Sequence, residues 1–460
     1  MLYAPGMALM STNPATGEQL ATYPEMSDDE VGSALASAAT AFRDWRRRSF
    51  RERGEVMRGV ASGLRSRKQE LARLMALEMG KPLDQGESEI EKCAATVEYF
   101  ATHAEAFLAN EEIGTDARRS FVSYQPIGVV LGVMPWNFPF WQALRYAAPT
   151  VMAGNTTVLK HSSNVTGCAL TIEELFLAAG APAGVFVTLR AGSSRVASII
   201  DDSRVAAVTL TGSTPAGRAI ATRAGQALKK TVLELGGSDP YVILDDADIE
   251  AAVKTCVASR LINSGQSCVA AKRFICTSAR RARVEELFVA GMTEKRMGNP
   301  LERVDVGPQA RADLRDALHR QVETSVAAGA RVLAGGRVPD SPGAFYPPTV
   351  LTNVREGMPA YEEELFGPVA SIIAADDEKD AIRIANDTAF GLGAAVFTRD
   401  TERGARIAAE DLEAGNCFVN AFVRSDPRLP FGGVKQSGYG RELGMWGIRE
   451  FVNVKTVYVG

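Results

Sequence analysis

No apolar stretch in the 460 residues approaches the roughly 18–20 needed to cross a bilayer as a helix; Ile127 to Met134 is short and runs straight into Pro135. A membrane span is therefore not expected. Met1 to Gly6 has neither the basic start nor the apolar centre of a secretory signal. Basic excess is missing too. Lys and Arg number 51 against 55 Asp and Glu, a net charge of -4, and the longest basic run is Arg46-Arg47-Arg48 at the end of a helical pattern. Nucleic acid is excluded as the main partner, because neutralising phosphates needs a dense cationic face. Cysteine is scarce: Cys93, Cys168, Cys256, Cys268, Cys276 and Cys417 contain no CxxC pair. That pattern fits neither a disulfide framework nor a zinc site; it suits a reducing cytoplasm and gives no metal site. Histidine is scarcer still. His103 and His319 stand in charged, helix-like surroundings and read as surface residues, while His161 follows an apparent strand and reads as a loop residue. If the chain is an enzyme, its base is expected to be a carboxylate.

What is present is a globular composition, 46% hydrophobic and 23% charged. At about 150 residues per domain the length gives about three domains or two large ones. Ser27-Asp28-Asp29-Glu30 is a capping box, and Val31, Leu35, Ala38, Phe42 and Trp45 follow at helical spacing, predicting a helix over 28–48. A second amphipathic stretch runs from Glu52 to Met79 and stops at Gly80-Lys81-Pro82. After Phe121 short β-branched or apolar runs recur at 129–131, 157–159, 185–189 and 205–210, and again at 241–244, 274–276, 330–333 and 394–397, separated by helix-like segments. Buried parallel strands with crossover helices have this appearance, so two α/β domains are expected, joined near residue 236.

Four constellations carry chemical information. Leu210 to Arg218 follows a predicted strand with Gly212, Ser213, Thr214 and Pro215, a helix start that would favour an anionic phosphate; an ordinary helix cap reads equally well. Gly438-Tyr439-Gly440 lacks the preceding strand and is discounted as a phosphate loop. In Met134-Pro135-Trp136-Asn137-Phe138-Pro139, two prolines hold the Asn137 amide rigidly, as an oxyanion donor requires, or simply as a packed aromatic turn requires. Leu233-Glu234-Leu235-Gly236-Gly237 puts a carboxylate among apolar neighbours, either a general base of raised pKa or a salt-bridged residue at a domain junction. Finally, Asn263-Ser264-Gly265-Gln266-Ser267-Cys268 sets one cysteine in a polar turn, where a thiol can be activated; the other five read as inert, buried hydrophobes.

Together these motifs resemble the aldehyde dehydrogenase superfamily, from Asn13-Pro14-Ala15-Thr16-Gly17 to Val454-Lys455-Thr456-Val457. Further matches are Glu363 to Val369, Asn386 to Leu392, and Pro430 to Glu442. The resemblance implies a Rossmann-like cofactor domain (1–118 and 128–235), an α/β catalytic domain (236–446) and a β-arm (119–127 and 447–460) that joins subunits into a homodimer or homotetramer. It implies Cys268 as nucleophile, Glu234 as base, and Asn137 as oxyanion donor together with the Cys268 backbone N–H. For the cofactor it implies Lys160 and Ser163 at the adenosine ribose, Gly212 and Ser213 at the pyrophosphate, Glu364 at the nicotinamide ribose, and Trp136, Leu235 and Phe366 around the ring.

Two departures bear on specificity. Where NAD-preferring relatives carry Lys-Pro-x-Glu, this chain has Lys160-His161-Ser162-Ser163. Without the carboxylate that would repel a 2′-phosphate, NADP is the expected cofactor, with NAD as the alternative; His161 in place of proline is expected to loosen the turn. The usual Leu-Gly-Gly-Lys is altered at Ser238 and Asp239, which the sequence alone does not explain. Trp136 to Arg145 and Arg424 to Phe431 resemble the succinate-semialdehyde dehydrogenase subgroup, in which Arg145, Ser267 and Ser425 would hold the distal carboxylate of the substrate. The competing readings are a broad aliphatic or aromatic aldehyde dehydrogenase, and surface pairing of Arg145 and Arg428 with acidic neighbours. A cofactor-free thiol hydrolase would need a histidine partner that the sequence does not offer; the retained Glu234 favours hydrolysis over transfer to coenzyme A; and a non-catalytic relative would not keep all three catalytic residues. Ala270, two positions after Cys268, removes one route to a redox disulfide.

Overall fold

A computed structural model describes residues 8–460; the signal-peptide reading of Met1 to Gly6 lies outside the described residues. The first helix, Asp28–Trp45, starts as its capping box dictates, with Ser27 Oγ accepting from the Glu30 N–H and the Glu30 carboxylate accepting from the Ser27 N–H. Val31, Leu35, Ala38 and Trp45 are its buried stripe. The amphipathic stretch expected over 52–79 is two helices, Phe50–Ser66 and Lys68–Met79. They part at Arg67, which leaves helical backbone angles and pairs with Glu70 of the second; Gly80, at φ +80°, ends it.

The first main sheet runs Gly438–Tyr439, Lys230–Glu234, Val205–Thr211, Val129–Met134, Thr156–His161, Phe186–Thr188. Apart from Gly438–Tyr439 all its strands are parallel, and in chain order they read 5-4-1-2-3, the doubly wound arrangement. Such sheets bind ligands beyond the carboxyl ends of the strands where the winding reverses, here between Val129–Met134 and Val205–Thr211. Gly132 lets the helix Pro139–Met152 lie close on the central strand, since a Cβ there would meet the Tyr146 ring at 2.2 Å.

The second sheet has seven strands, in the order Arg331–Ala334, Thr349–Thr352, Val369–Ala375, Arg273–Thr277, Pro240–Ile243, Gly393–Phe397, Asn416–Val419. Only the first of these is antiparallel to its neighbour. Gly438–Tyr439 falls within the 236–446 span expected for the catalytic domain, yet it forms the edge of the first sheet beside Leu233 and Glu234. Gly438 (φ +110°) permits this approach, because a Cβ would collide with the Leu233 carbonyl. Two smaller sheets complete the chain. Ala8–Thr12 pairs with Gln19–Pro24, and Val452–Val459 pairs with Arg119–Pro126, which also carries Glu111–Glu112. Among the described residues no helix is long and apolar enough to cross a membrane, and no group of three or more His, Cys, Asp or Glu could hold a metal ion.

Candidate active site

Cys268 sits in a turn between the helix Ile249–Arg260 and the strand Arg273–Thr277. The approach to it is strained: Asn263 (φ 54°), Ser264 (φ 56°) and Gly265 (φ +78°) are consecutive left-handed residues. Such conformations cost about 1–3 kcal/mol at a non-glycine residue and persist only when their surroundings fix them. Here Asn263 Nδ2 donates to the carbonyls of Asn137 (2.7 Å) and Gln266 (3.1 Å), and Ser264 Oγ accepts from the Gly307 N–H (2.8 Å). Buried Lys272 donates to the carbonyls of Ser267 (3.0 Å) and Cys268 (2.6 Å), and lies 3.3 Å from Glu364 Oε1. At the altered Gly237-Ser238-Asp239 stretch, Ser238 and Asp239 are buried and the Lys272 and Arg273 N–H groups donate to the Asp239 carbonyl; nothing in the structure explains why serine stands where lysine is usual. Burial pushes the Cys268 thiol up to about 12, against the pull of Arg145 and Lys272. The thiol therefore rests protonated and needs a base to become a nucleophile.

Asn137 lies on the loop after the central strand of the first sheet, and its Nδ2 donates to the Gln266 carbonyl at 3.1 Å. The loop is anchored from below by Glu89, whose Oε1 accepts from the N–H groups of Phe140 (3.0 Å) and Trp141 (2.9 Å) at the start of the next helix. Glu89 is ion-paired with Lys81, whose ammonium lies 3.7 Å from the Phe138 ring centroid. Removing one member of such a buried pair typically costs about 3–5 kcal/mol, so the pair fixes the Asn137 loop strongly. His161 contributes as well, and the expectations of a loop residue and a loosened turn are corrected. It is the last residue of the strand Thr156–His161; its Nδ1 accepts from the Ser162 N–H (2.9 Å) and its Nε2 donates to the Pro139 carbonyl (2.9 Å). Burial pulls its pKa down to about 4, so the ring is neutral and ties the Lys160 turn to the Asn137 loop.

Glu234 ends the strand Lys230–Glu234 and is only 2% exposed, with neither carboxylate oxygen hydrogen-bonded. Burial raises its pKa well above the usual carboxylate range; Arg145 opposes the rise and the like charge of Glu442 adds to it. Arg145 is 2% exposed, ion-paired with Glu442, and donates from Nη2 to Thr211 Oγ1 at 3.1 Å. Surface pairing therefore does not describe Arg145, although it does describe Arg428, which is joined to Asp426 at 2.6 Å.

A cavity of about 760 Å³ opens onto Cys268, and Arg145, Ser267 and Ser425 share its wall. Asn137 and Glu234 are not among its lining residues. On the other side, Lys160 and Ser163 line a cavity of about 850 Å³. Its carboxylate, Glu25, has Arg195 at 4.0 Å. Gly212 and Ser213 stand at the carboxyl end of Val205–Thr211, beside the reversal in the winding. Ser213 occupies the N-cap position of the helix Thr214–Gln226 without a side-chain capping bond, leaving its hydroxyl available to an anion at the helix start. Leu235 packs where a Cβ on Gly217 would stand (2.5 Å), Glu364 Oε1 accepts from the Gly237 N–H (3.1 Å), and Trp136 meets Phe366 edge-on at 5.8 Å. These groups fit a dinucleotide: an open helix start for the pyrophosphate, a lysine and hydroxyl without a carboxylate at position 163, and an aromatic corner.

Lys81, Glu89, Lys92, Lys272 and Glu442 did not emerge from sequence reasoning as site residues. Lys81 is legible only as part of a helix stop and Glu442 as part of a motif; Glu89, the partner of Lys81, is only eight residues on, but Arg145, the partner of Glu442, lies far along the chain. No histidine lines the Cys268 cavity, which removes the partner that a cofactor-free thiol hydrolase would need.

The model of the aldehyde dehydrogenase family matches residues 4–457. The chain is 47% identical to the NAD(P)+ succinate semialdehyde dehydrogenase Sad of Escherichia coli, over 100% of this chain and 99% of that one. It is 48% identical to a probable NADP+ succinate-semialdehyde dehydrogenase of Synechocystis, over 98% of this chain and 100% of that one. Among solved structures it resembles succinic semialdehyde dehydrogenase from Streptococcus pyogenes in complex with NADP+, with a TM-score of 0.96, 38% identity, and 98% and 100% of the two chains covered. This chain belongs to the aldehyde dehydrogenase family.

Proposed function

We propose that this enzyme oxidises succinate semialdehyde to succinate, with NADP preferred to NAD. One observation carries the substrate reading: Cys268 shares its cavity wall with Arg145, Ser267 and Ser425, so a nucleophile and donors for a distal carboxylate line the same cavity. The names of the curated relatives support it. Glu234, with its pKa raised by burial, takes the thiol proton, and the Cys268 thiolate attacks the aldehyde carbon. The Asn137 amide and the Cys268 backbone N–H hold the resulting oxyanion. A bound nicotinamide would supply the hydride acceptor, and loss of hydride from the carbon held on Cys268 would leave a thioester there. Glu234 passes the thiol proton to solvent and is again a carboxylate; it then takes a proton from water, the water oxygen attacks the thioester carbon, the carbon–sulfur bond breaks to release the carboxylic acid, and Glu234 returns its proton to the departing Cys268 thiolate.

Lys160 and Ser163 would hold the ribose 2′-phosphate, Gly212 and Ser213 the pyrophosphate, and Glu364 the second ribose, with Trp136, Leu235 and Phe366 shaping the space for the ring. The arm formed by Arg119–Pro126 and Val452–Val459 is where we place the contact between subunits of a homodimer or homotetramer.

Initial rates with NADP and NAD, on succinate semialdehyde and on hexanal, test this reading. Succinate semialdehyde with NADP is expected to be the best pair. Arg145→Ala should lower kcat on both aldehydes by disturbing Glu234 and Glu442, and should raise KM for succinate semialdehyde about 10–100-fold more than for hexanal, as loss of a charged hydrogen bond predicts. Faster turnover of hexanal by the unaltered enzyme would support the broad-specificity reading instead.

A further inference from the structure

The wall that carries Arg145 and Ser425 carries another cation. Lys92, in the helix Leu83–Phe107, lines the Cys268 cavity; its ammonium donates to Ser425 Oγ at 2.6 Å and lies 4.0 Å from the Trp141 ring centroid. Of the other charges that line this cavity, Asp84 and Arg424 are exposed and in no ion pair among the described residues, while the rest are matched. Arg145 faces Glu442, Glu89 is paired with Lys81, and Lys295 lies 3.8 Å from Asp305. Lys92 has no carboxylate partner among the described residues; a hydroxyl and an aromatic face are what it meets. An ammonium partly withdrawn from water without a counter-ion carries a cost, and an incoming anion relieves it. The direction of the Ser425 bond matters too. Because Ser425 Oγ accepts from Lys92, its own O–H proton is left to donate.

We infer that Lys92 joins Arg145 and Ser425 in the clamp for the distal carboxylate of the substrate, Lys92 giving an N–H and a charge and Ser425 an O–H, beside the Arg145 guanidinium whose charge is shared with Glu442. This rests on the reading that the physiological aldehyde bears a carboxylate. Lys92 is then a specificity-determining residue that ranks carboxylate-bearing aldehydes above neutral ones of the same length. Burial, aided by the like charge of Arg145, pulls its pKa down to about 8, so its charge is fully present only below that pH.

The test is the ratio of kcat/KM for succinate semialdehyde to that for butanal, in the unaltered enzyme, Lys92→Gln and Lys92→Arg. The unaltered enzyme should prefer succinate semialdehyde, Lys92→Gln should lower the ratio at least about tenfold, and Lys92→Arg should retain most of it. The unaltered ratio should also fall as pH rises through about 8, while that of Lys92→Gln stays flat across about pH 7–9. The groups facing Lys92 do not imitate this change. Arg145 is ion-paired with Glu442 and Glu89 with Lys81, the Cys93 thiol is pushed well up by burial, and Cys268 serves both aldehydes and cancels in the ratio. A preference that survives Lys92→Gln, or that is lost equally for both substrates through a common fall in kcat/KM, overturns the role of Lys92. If Lys92→Gln does not fold, a flat ratio in the unaltered enzyme across that pH range overturns it equally. No preference in the unaltered enzyme overturns the carboxylate substrate itself, and this inference with it.

Discussion

Glu234 illustrates the cost of placing a base where water is excluded. Both its oxygens are buried without partners, and its proton is held more tightly in the folded chain than in the unfolded one. Between the ordinary value of 4.5 and the raised native value the folded state binds more protons, so this residue makes stability fall as pH rises through that window. Glu234→Gln should therefore abolish turnover yet melt above the unaltered enzyme at alkaline pH, by roughly 1–2 °C for about 1–2 kcal/mol in a chain of this size. The gap should close as pH falls toward about 4.5. Equal melting temperatures at every pH would contradict the buried, unpartnered carboxylate. At this scale the sequence is legible where a residue type is odd for its surroundings: a carboxylate among leucines and glycines, a cysteine in a polar turn, an asparagine between prolines. It is mute about Lys92, whose meaning depends on Ser425, 333 residues away, and about Lys272 and Glu442, whose partners are likewise supplied by the fold.

Elements were legible where local chemistry dominates. The capping box at Ser27 and Glu30 fixed the first helix, and most of the β-branched runs became strands because they are buried in parallel sheets, whereas Arg331–Ala334 is an exposed antiparallel edge strand. Where long-range packing decides, the sequence misleads. Arg67 carries no helix-breaking signature, yet two helices meet there; Gly438-Tyr439 offers no strand pattern, yet its backbone closes a sheet edge because Gly438 can come that near Leu233. The arm raises a separate question, since Val452–Val459 is an edge strand with Val454 60% and Tyr458 56% exposed. Open strand edges bearing apolar side chains invite pairing with another chain. Sedimentation should show a dimer or tetramer, and Val454→Lys should shift it toward smaller species. A monomer alone in the unaltered protein would contradict a role for the arm in assembly.

On the scale of the whole molecule, the site is a meeting of two sheets. Asn137, Lys160, Ser213 and Glu234 come from the carboxyl ends of the first, while Cys268, Glu364 and Phe366 stand just ahead of strands of the second. Neither half holds a complete set, and the Gly236-Gly237 junction brings base and nucleophile within one region. In the proposed mechanism Glu234 serves both capture and release, but a raised pH can replace it only in capture, by forming the Cys268 thiolate directly. The most direct measurement is therefore to incubate Glu234→Gln with succinate semialdehyde and NADP, raising the pH to aid formation of the thiolate, and to locate any adduct by peptide mass spectrometry. One succinyl group on Cys268, together with at most a single turnover of reduced cofactor, is the predicted result. Sustained turnover, or an adduct on any other residue, would contradict it.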